Sequence, residues 1–222
     1  AKGLGRAVIT ATAADGTTSS CIAHVALKGI DVSTFQKTID WSQVKAQGID
    51  FAMIRTGYGW ENWATQKDAY FEANYAGATA NGIKVGAYHY SYATTPEEAR
   101  QEAQMALSIL GGRKLDYPLA FDMEDKCQAN LTPAQAAEVV KAFCDTVEAA
   151  GYKTAIYSYS NFYNSKLTDP SLDKYDKWVA HWGTPNPSYT GTFTMWQFGT
   201  IPLPGAVGGN SNVDVNYCYY DY

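Results

Sequence analysis

The sequence has little positive charge and no long apolar run. Its 17 lysine and arginine residues are scattered among 22 acidic residues, and the formal net charge at pH 7 is −5. Phosphate binding needs concentrated lysine and arginine, so we expect no nucleic acid partner. No stretch reaches the roughly 18 uninterrupted apolar residues of a membrane helix, so we expect no membrane insertion. The first residues lack a signal-peptide pattern, so we expect a mature or trimmed chain. Its start therefore gives no information about secretion.

Cysteine is scarce, and its spacing does not suit a metal site. The four cysteines are Cys21, Cys127, Cys144 and Cys218, and none belongs to a C-x-x-C pair. A zinc site is therefore not expected. Cys127 follows a predicted strand and Cys144 lies about three turns into the next helix, a separation too long for a disulfide. We expect mostly free thiols.

The composition that is present favours a folded domain with an aromatic surface. Of the 222 residues, 46% are hydrophobic and 18% are charged, which suits one large domain or two small ones with a true core. The chain holds 17 Tyr, 6 Trp and 8 Phe. Most of these rings should pack in the core. Tyrosine and tryptophan at this density also suit a sugar-binding cleft, because each combines an apolar face with a polar tip.

Residues 1–27 differ from the rest of the chain. VITATA (8–13) and CIAHVAL (21–27) alternate in polarity on either side of Asp15-Gly16, which predicts a β-hairpin. A lone hairpin is marginal in water, so it needs further strands or a surface to pack on. The segment resembles the closing hairpin of a group 2 bacterial Ig-like domain, a module of bacterial surface proteins. The resemblance implies a first domain over 1–27 and a second over 28–222.

From residue 28 onward the pattern alternates between strands and helices. We predict strands at 29–33, 49–57, 83–93, 117–125, 152–160, 177–182, 193–198 and 213–220. Such alternation favours a parallel sheet, and eight strands favour a closed α/β barrel. Residues 28–222 fall short of the ~250 residues of a full (β/α)8 barrel, which the loss of its last helices explains. An open doubly wound sheet is the alternative, but no glycine-rich dinucleotide loop follows the first strand.

Helix boundaries can be read from capping residues. Asp40 is expected to cap a helix that ends at Gln47, and another helix is predicted at about 67–80. Two further helices should begin after Thr95 and Thr132, because T-P-E-E and T-P-A-Q both match the capping box with proline at the first helical position.

Four acids fall at predicted strand ends: Asp31, Asp122, Glu124 and Asp214. The carboxyl ends of barrel strands form the active face of such folds. Alternate strand residues share a face, so Asp122 and Glu124 should point the same way, ~6.5 to 7 Å apart along the strand. The apolar residues around them, such as Phe121, should face the helices. Solvated loop acids are the plain alternative, which four converging carboxylates disfavour.

Clustered carboxylates either bind metal or perform acid–base chemistry. A magnesium or calcium site remains open at this point. Packed like charges also raise the pKa of one member, which creates a proton donor near neutral pH, the requirement for glycoside cleavage. Aromatic residues near the strand ends are expected to form sugar platforms, and they are Tyr88, Tyr90, Tyr157, Trp182 and Trp196.

Eight segments, taken in order, resemble glycoside hydrolase family 25, the Chalaropsis-type lysozymes. They are KGIDVSTFQ, DFAMIRTGYG, VGAYHYSYA, LAFDMED, KTAIYSYSNF, WVAHW, MWQF and NVDVN. The resemblance implies a flattened (β/α)5β3 TIM-like barrel. It also implies a secreted or cell-wall enzyme that hydrolyses the β-1,4 bond from N-acetylmuramic acid to N-acetylglucosamine in peptidoglycan glycan strands. No cofactor and no metal are implied, and we expect a monomer.

The resemblance assigns roles to residues of this chain. It implies that Glu124 is the general acid and that Asp122 is its D-x-E partner, able to polarise the substrate acetamido group. Asp31 and Asp214 complete the carboxylate set. The implied substrate contacts are Tyr88, Tyr157, Trp182, Trp196 and Gln197. The retaining or inverting outcome stays open, and we favour assistance by the acetamido group.

Three cationic or titratable side chains carry competing interpretations. Arg55 ends the second strand, where pairing with an acid and contact with substrate are equally expected. His89 lies between two inward-facing tyrosines, so it should point into the layer between barrel and helices as a hydrogen-bonded structural residue. His181 has the same ambiguity.

Three other functions compete with a lysozyme. A chitinase-like hydrolase of family 18 also uses D-x-E acids, but Tyr117 and Ala120 stand where the first two aspartates of its longer motif would be. A glucosaminidase would cleave the other bond of the same glycan. A non-catalytic wall-binding module is the third, and the presence of all four acids argues against it.

Overall fold

Eight strands close into a barrel, and a separate two-stranded hairpin precedes them. The computed structural model describes residues 3–203, 206–207 and 212–222. The strands are β1 (Gly5–Thr12), β2 (Thr18–Val25), β3 (Leu27–Val32), β4 (Thr38–Ile39), β5 (Phe51–Tyr58), β6 (Lys84–Tyr90), β7 (Leu119–Asp122), β8 (Thr154–Tyr159), β9 (Asp176–Ala180), β10 (Met195–Pro202), β11 (Ala206–Val207) and β12 (Asn212–Cys218). The α-helices are α1 (Trp41–Ala46), α2 (Trp63–Gln66), α3 (Phe71–Ala80), α4 (Pro96–Leu110), α5 (Pro133–Ala149) and α6 (Ser160–Ser165).

The strand order around the barrel is β10-β12-β3-β5-β6-β7-β8-β9. The pairs from β3 through β9 to β10 are parallel, whereas β12 is antiparallel to both of its neighbours. Parallel neighbours require a crossover and antiparallel neighbours do not. In the described part of the chain, no helix follows the short 3-10 turn Pro170–Leu172. The predicted α/β barrel that loses its last helices is therefore confirmed.

Two apolar layers follow from strand alternation. The barrel interior holds Phe51, Met53, Tyr117, Ala120, Ala155, Tyr157, Trp178, Ala180, Met195 and Cys218. The layer between barrel and helices contains Leu119, Phe121 and Met123, all fully buried. The expected division within LAFDMED is thus confirmed, with Ala120 inside and its apolar neighbours outside.

The helix starts agree with the capping residues, with one exception. Thr95 and Thr132 each form a complete capping box, and Asp40 caps α1. The predicted start of the second helix near residue 67 was wrong, because α3 begins at Phe71. The Asp68 carboxylate accepts hydrogen bonds from the backbone N–H groups of Thr34 and Tyr70. These bonds hold the segment before α3 outside the helix.

Strands β1 and β2 form the predicted hairpin, with Thr12 opposite Thr18. The hairpin packs on the outside of the barrel. The Arg6 guanidinium lies 4.2 Å from the centre of the Phe193 ring, and His24 Nδ1 lies 2.8 Å from the Tyr219 hydroxyl. His24 also stacks on Tyr217 of β12 at 5.8 Å. The hairpin therefore covers a side of the barrel where the described chain places no helix.

All four cysteines are free thiols, as expected, with Cys21 and Cys127 exposed and the other two buried. No helix in the described ranges is long and apolar enough to cross a membrane.

Candidate active site

The carboxyl ends of the parallel strands surround a cleft of about 260 Å³. Its lining includes most of the predicted site residues: Asp31, Arg55, Tyr88, Tyr90, Asp122, Glu124, Tyr157, Gln197 and Asp214. The four acids therefore converge, although they come from three strands far apart in sequence. Trp182 and Trp196 are not among the lining residues.

Asp31 and Asp214 face each other across neighbouring strands. They are direct partners in the antiparallel pair of β3 and β12. Burial, reinforced by the charge of Asp214, raises the pKa of Asp31 to about 7. Two amide donors oppose this rise, since Asn216 Nδ2 and Gln197 Nε2 donate to Asp31 Oδ2 at 2.7 and 3.1 Å. Burial also raises the pKa of Asp214 to about 6.

Asp122 ends β7 and is 3% exposed. Burial raises its pKa well above the ordinary range, and the charges of Glu124 and Asp31 raise it further, whereas Arg55 lowers it. Its Oδ1 atom is buried and has no hydrogen-bond partner in the protein. An unpartnered buried oxygen costs free energy, which a ligand N–H would recover.

Glu124 lies two residues beyond Asp122, just past the end of the strand, and both side chains line the cleft. Burial raises the pKa of Glu124 to about 7, with Asp214 adding to the rise, while hydrogen bonding to Tyr159 and Tyr157 lowers it. Its Oε2 atom is also buried without a partner. A carboxyl with this pKa is substantially protonated near neutral pH and can donate a proton to a ligand oxygen.

Arg55 pairs with Asp68, an acid that sequence reasoning did not single out. Its Nε lies 2.8 Å from Asp68 Oδ2, and the Asp68 side chain is fully buried. Arg55 also lines the cleft, so the ion pair holds the guanidinium there beside Asp122. Of the two interpretations given above, pairing with an acid is confirmed, and contact with substrate stays a prediction.

Gln197 connects the cleft to its rim. Its Oε1 atom accepts the hydroxyl of Tyr157 and the indole N–H of Trp182, both at 3.0 Å, while its Nε2 donates to Asp31. Trp182 is 46% exposed and stands at the edge of the cleft. Trp196 points to the opposite side of the barrel wall, where it contacts His24 and is 3% exposed. The expected substrate contact by Trp196 is therefore corrected, because consecutive strand residues cannot both face the cleft.

Comparison with known proteins agrees with this geometry. Residues 30–202 match the family described as glycosyl hydrolases family 25. The chain belongs to this family. Lysozyme M1 of Streptomyces globisporus is 31% identical over 86% of this chain and 67% of its own length. The autolytic lysozyme of Clostridium acetobutylicum is 27% identical over 85% of this chain, and the match spans 55% of that protein. The bacterial lysozyme structure from Streptomyces coelicolor has a TM-score of 0.74 at 30% identity, covering 89% of this chain and 94% of that one.

Within this family 25 cleft, two further residues escaped sequence reasoning. Asn216 holds Asp31 and accepts the indole N–H of Trp178 at 2.7 Å. The hydroxyl of Tyr159, at the end of β8, lowers the pKa of Glu124. Asn216 follows Asp214 by two positions, and Tyr159 follows Tyr157 by two positions. Because alternate strand residues share a face, strand alternation could have predicted that both point toward the cleft.

The tyrosines and histidines occupy distinct places. Tyr88 packs edge-on against Trp178, and the Tyr90 hydroxyl donates to Asp125 at 3.2 Å. His89 is fully buried in the layer between barrel and helices, as predicted, with Thr56 and the Gly59 carbonyl as partners at 2.9 and 3.0 Å. Burial lowers its pKa to about 4, so it stays neutral. His181 lies outside the carboxylate cleft and accepts the backbone N–H of Ser188 at 2.9 Å.

A buried polar network supports the loop after β6 and ties it to the loop that carries Glu124. Glu102 on α4 is fully buried and accepts the backbone N–H of Tyr92 at 2.8 Å. Gln128 donates to the Ser91 hydroxyl and to the Ala93 carbonyl, both at 3.1 Å. The loop after β6 is thereby tied to the loop that follows Glu124. Within residues 3–203, 206–207 and 212–222, no group of three His, Cys, Asp or Glu side chains is arranged to hold a metal ion.

Proposed function

We propose that this chain is a lysozyme that hydrolyses the β-1,4 bond between N-acetylmuramic acid and N-acetylglucosamine in bacterial peptidoglycan. The observation that carries the proposal is the pair of buried, unpartnered carboxyl oxygens, one on Asp122 and one on Glu124, in a cleft of four acids. Glu124, whose pKa is raised to about 7, can donate a proton, and the unpartnered Oδ1 of Asp122 can accept an amide N–H. The family membership and the lysozymes among its relatives support the same activity.

The first chemical step follows from these two atoms. Glu124 donates its proton to the glycosidic oxygen, and the bond from that oxygen to the anomeric carbon breaks. Asp122 accepts the N–H of the acetamido group, whose carbonyl oxygen attacks the anomeric carbon and forms a cyclic oxazolinium. Positive charge develops on the sugar, and the surrounding carboxylates stabilise it.

The second step regenerates the enzyme. The Glu124 carboxylate removes a proton from water as the water oxygen attacks the anomeric carbon, and the acetamido group is restored. Asp31, held by Asn216 and Gln197, is positioned to stabilise the charge on the sugar together with Asp214. Substrate assistance of this kind fails as an account if a covalent ester between a sugar and a carboxylate of the protein is trapped.

We place the activity at the bacterial cell wall, outside the membrane, with glycan strands as the partner and a monomer as the working form. The names of relatives and structural neighbours, an autolytic lysozyme and a phage endolysin catalytic domain among them, support the wall as the site of action. We also keep the proposal that 1–27 derives from a bacterial Ig-like domain and that 28–222 is the catalytic domain. The antiparallel hairpin supports the first part.

Analysis of the reducing ends tests the proposed bond. Purified Gram-positive peptidoglycan and chitin are each digested with the wild-type chain, reduced with borohydride and analysed by mass spectrometry. We expect reduced muramic acid ends from peptidoglycan and no cleavage of chitin. Reduced glucosamine ends would make the protein a glucosaminidase, cleavage of chitin would favour the chitinase-like alternative, and binding to the wall without products would favour a binding module.

A further inference from the structure

Glu124 lies just beyond the paired part of its strand. β7 ends at Asp122, and the next regular element is the 3-10 turn Lys126–Gln128. Pairing with Tyr90 on β6 and Tyr157 on β8 fixes the backbone of Asp122. Glu124 lies outside this pairing, so its position depends on contacts made by the peptide groups on either side of it.

The residue before Glu124 is held by β8. The Ser158 hydroxyl donates to the Met123 carbonyl at 2.6 Å, and the Met123 N–H donates to the Tyr157 carbonyl at 3.0 Å. Ser158 is fully buried. The carbonyl that directly precedes Glu124 is therefore held by a hydroxyl that is shielded from solvent.

The residue after Glu124 is held by Gln128. The backbone N–H of Asp125 donates to Gln128 Oε1 at 3.2 Å, and Gln128 Nε2 donates to Ser91 Oγ and to the Ala93 carbonyl, both at 3.1 Å. Gln128 is fully buried. Because the Ala93 carbonyl can only accept and the Asp125 N–H can only donate, the Gln128 amide has a single orientation. The amide therefore bridges the loop after β6 to the peptide group that directly follows Glu124.

Ser91 joins the two acids of the D-x-E pair. Its N–H donates to the Asp122 carbonyl at 2.9 Å, and its hydroxyl accepts the bond from Gln128. Ser91 is fully buried. Asp122 is thus bonded to Ser91 directly, and the chain after Glu124 is bonded to it through Gln128. The distance between the two acids depends on this bridge.

Proton donation is sensitive to the position of the donor. A general acid must come within ~2.6 to 3.2 Å of the oxygen that it protonates, directly or through one water. A displacement of about 1 Å at a reacting group can lower the rate by roughly a hundredfold. Ser158 and Gln128 are not among the residues that line the cleft, so their effect on catalysis must pass through the backbone of Glu124.

We propose that Ser158 and Gln128 are positioning residues for the general acid, each holding one of the two peptide groups that flank Glu124. The proposal rests on the proposed function, in which Glu124 donates the proton. It adds that the geometry of the acid is set by two buried side chains outside the carboxylate cleft.

Two substrates with different leaving groups test this role. In soluble, peptide-free glycan strands, the leaving group is a sugar oxygen that needs the proton from Glu124. The dinitrophenyl β-glycoside of N-acetylglucosaminyl-N-acetylmuramic acid releases a stable phenolate that needs no proton. We expect Gln128→Met and Ser158→Ala to lower kcat/KM on glycan strands by roughly ten- to a hundredfold, through kcat with KM unchanged, and on the dinitrophenyl glycoside by less than about threefold. General damage to the cleft would lower both.

Tyr163→Phe is the matched control. The Tyr163 hydroxyl is also buried and donates to a carbonyl of β8, that of Ile156, but this bond does not adjoin Glu124. Tyr163→Phe should leave kcat/KM unchanged on both substrates. Melting curves show whether each variant is folded. Ser158→Ala removes a single oxygen atom, so it tests the proposal even if Gln128→Met does not fold.

Glu124→Gln distinguishes failure of this proposal from failure of the proposed function. It should show the same selective loss on glycan strands, and a larger one. If Glu124→Gln shows that loss while the folded positioning variants keep wild-type rates, or lose both activities equally, the positioning proposal is wrong and the proposed function stands. If Glu124→Gln shows no selective loss, or if the wild type releases no muramic acid ends, the proposed function fails and the positioning proposal fails with it.

Discussion

Replacing Glu102 by glutamine should remove a large pH dependence of stability. Glu102 is fully buried on α4, and burial raises its pKa from 4.5 to about 8. Below pH 4.5 the carboxyl is protonated in both the folded and the unfolded chain. Between pH 4.5 and about 8 only the unfolded chain loses this proton, so unfolding becomes progressively easier as pH rises.

The size of the effect follows from that interval. Each pH unit between the two pKa values changes the free energy of unfolding by ~1.4 kcal/mol, which gives a loss of about 3 to 5 kcal/mol for a fully buried group. Glutamine has no proton to lose and retains an oxygen for the N–H of Tyr92. The stability of Glu102→Gln relative to wild type should therefore improve by this amount between pH 4.5 and pH 9.

Urea unfolding followed by tryptophan fluorescence at several pH values measures this difference. Glu97→Gln is the control on the same helix, because its side chain is 70% exposed and should follow the wild-type curve. If the curves of Glu102→Gln and wild type run parallel from pH 4.5 to pH 9, the assignment of a buried, protonated Glu102 is refuted.

Three further changes have directional outcomes. Tyr159→Phe removes a hydrogen bond that lowers the pKa of Glu124, so the alkaline limb of the profile of kcat/KM against pH should move upward by up to about one pH unit. Asn216→Ala removes a donor that lowers the pKa of Asp31, so kcat/KM should fall more at pH 5.5 than at pH 8. His24→Ala should lower the free energy of unfolding by ~1 to 2 kcal/mol, through loss of a hydrogen bond and a ring stack, and leave kcat/KM unchanged because it lies outside the cleft.

Each of these has a contrary result. An unmoved or downward-shifted alkaline limb in Tyr159→Phe would show that the hydroxyl does not stabilise the ionised form of Glu124. An equal loss of kcat/KM at both pH values in Asn216→Ala would point to general damage to the cleft. Wild-type stability in His24→Ala would mean that the contacts of His24 with Tyr219 and Tyr217 do not stabilise the fold.

The position of the acids was predictable because it depends on local rules. The end of a parallel strand fixes which edge of the barrel a residue reaches, and alternation fixes its face. LAFDMED satisfies both, so Asp122 and Glu124 were located correctly without any contact information. The capping boxes at Thr95 and Thr132 are equally local, and each helix begins where they predict.

The errors concern contacts that span the fold. The bond from Asp68 to Arg55 depends on how the segment before α3 folds back across β5, which no periodicity encodes. Trp196 was a different kind of error, since the resemblance placed both it and Gln197 at the substrate. Alternation allows only one of two consecutive residues to face the cleft, and the structure selects Gln197.

The most direct test of the catalytic account is the kcat of Glu124→Gln on peptidoglycan, measured at pH 6 by counting reducing ends. Glutamine preserves the size and polarity of the side chain and removes only its ability to donate a proton. The account predicts a loss of about a hundredfold to ten-thousandfold in kcat, the usual contribution of general acid catalysis, with wild-type stability. A folded Glu124→Gln variant that keeps kcat within a few-fold of wild type would contradict the assignment of Glu124 as the proton donor.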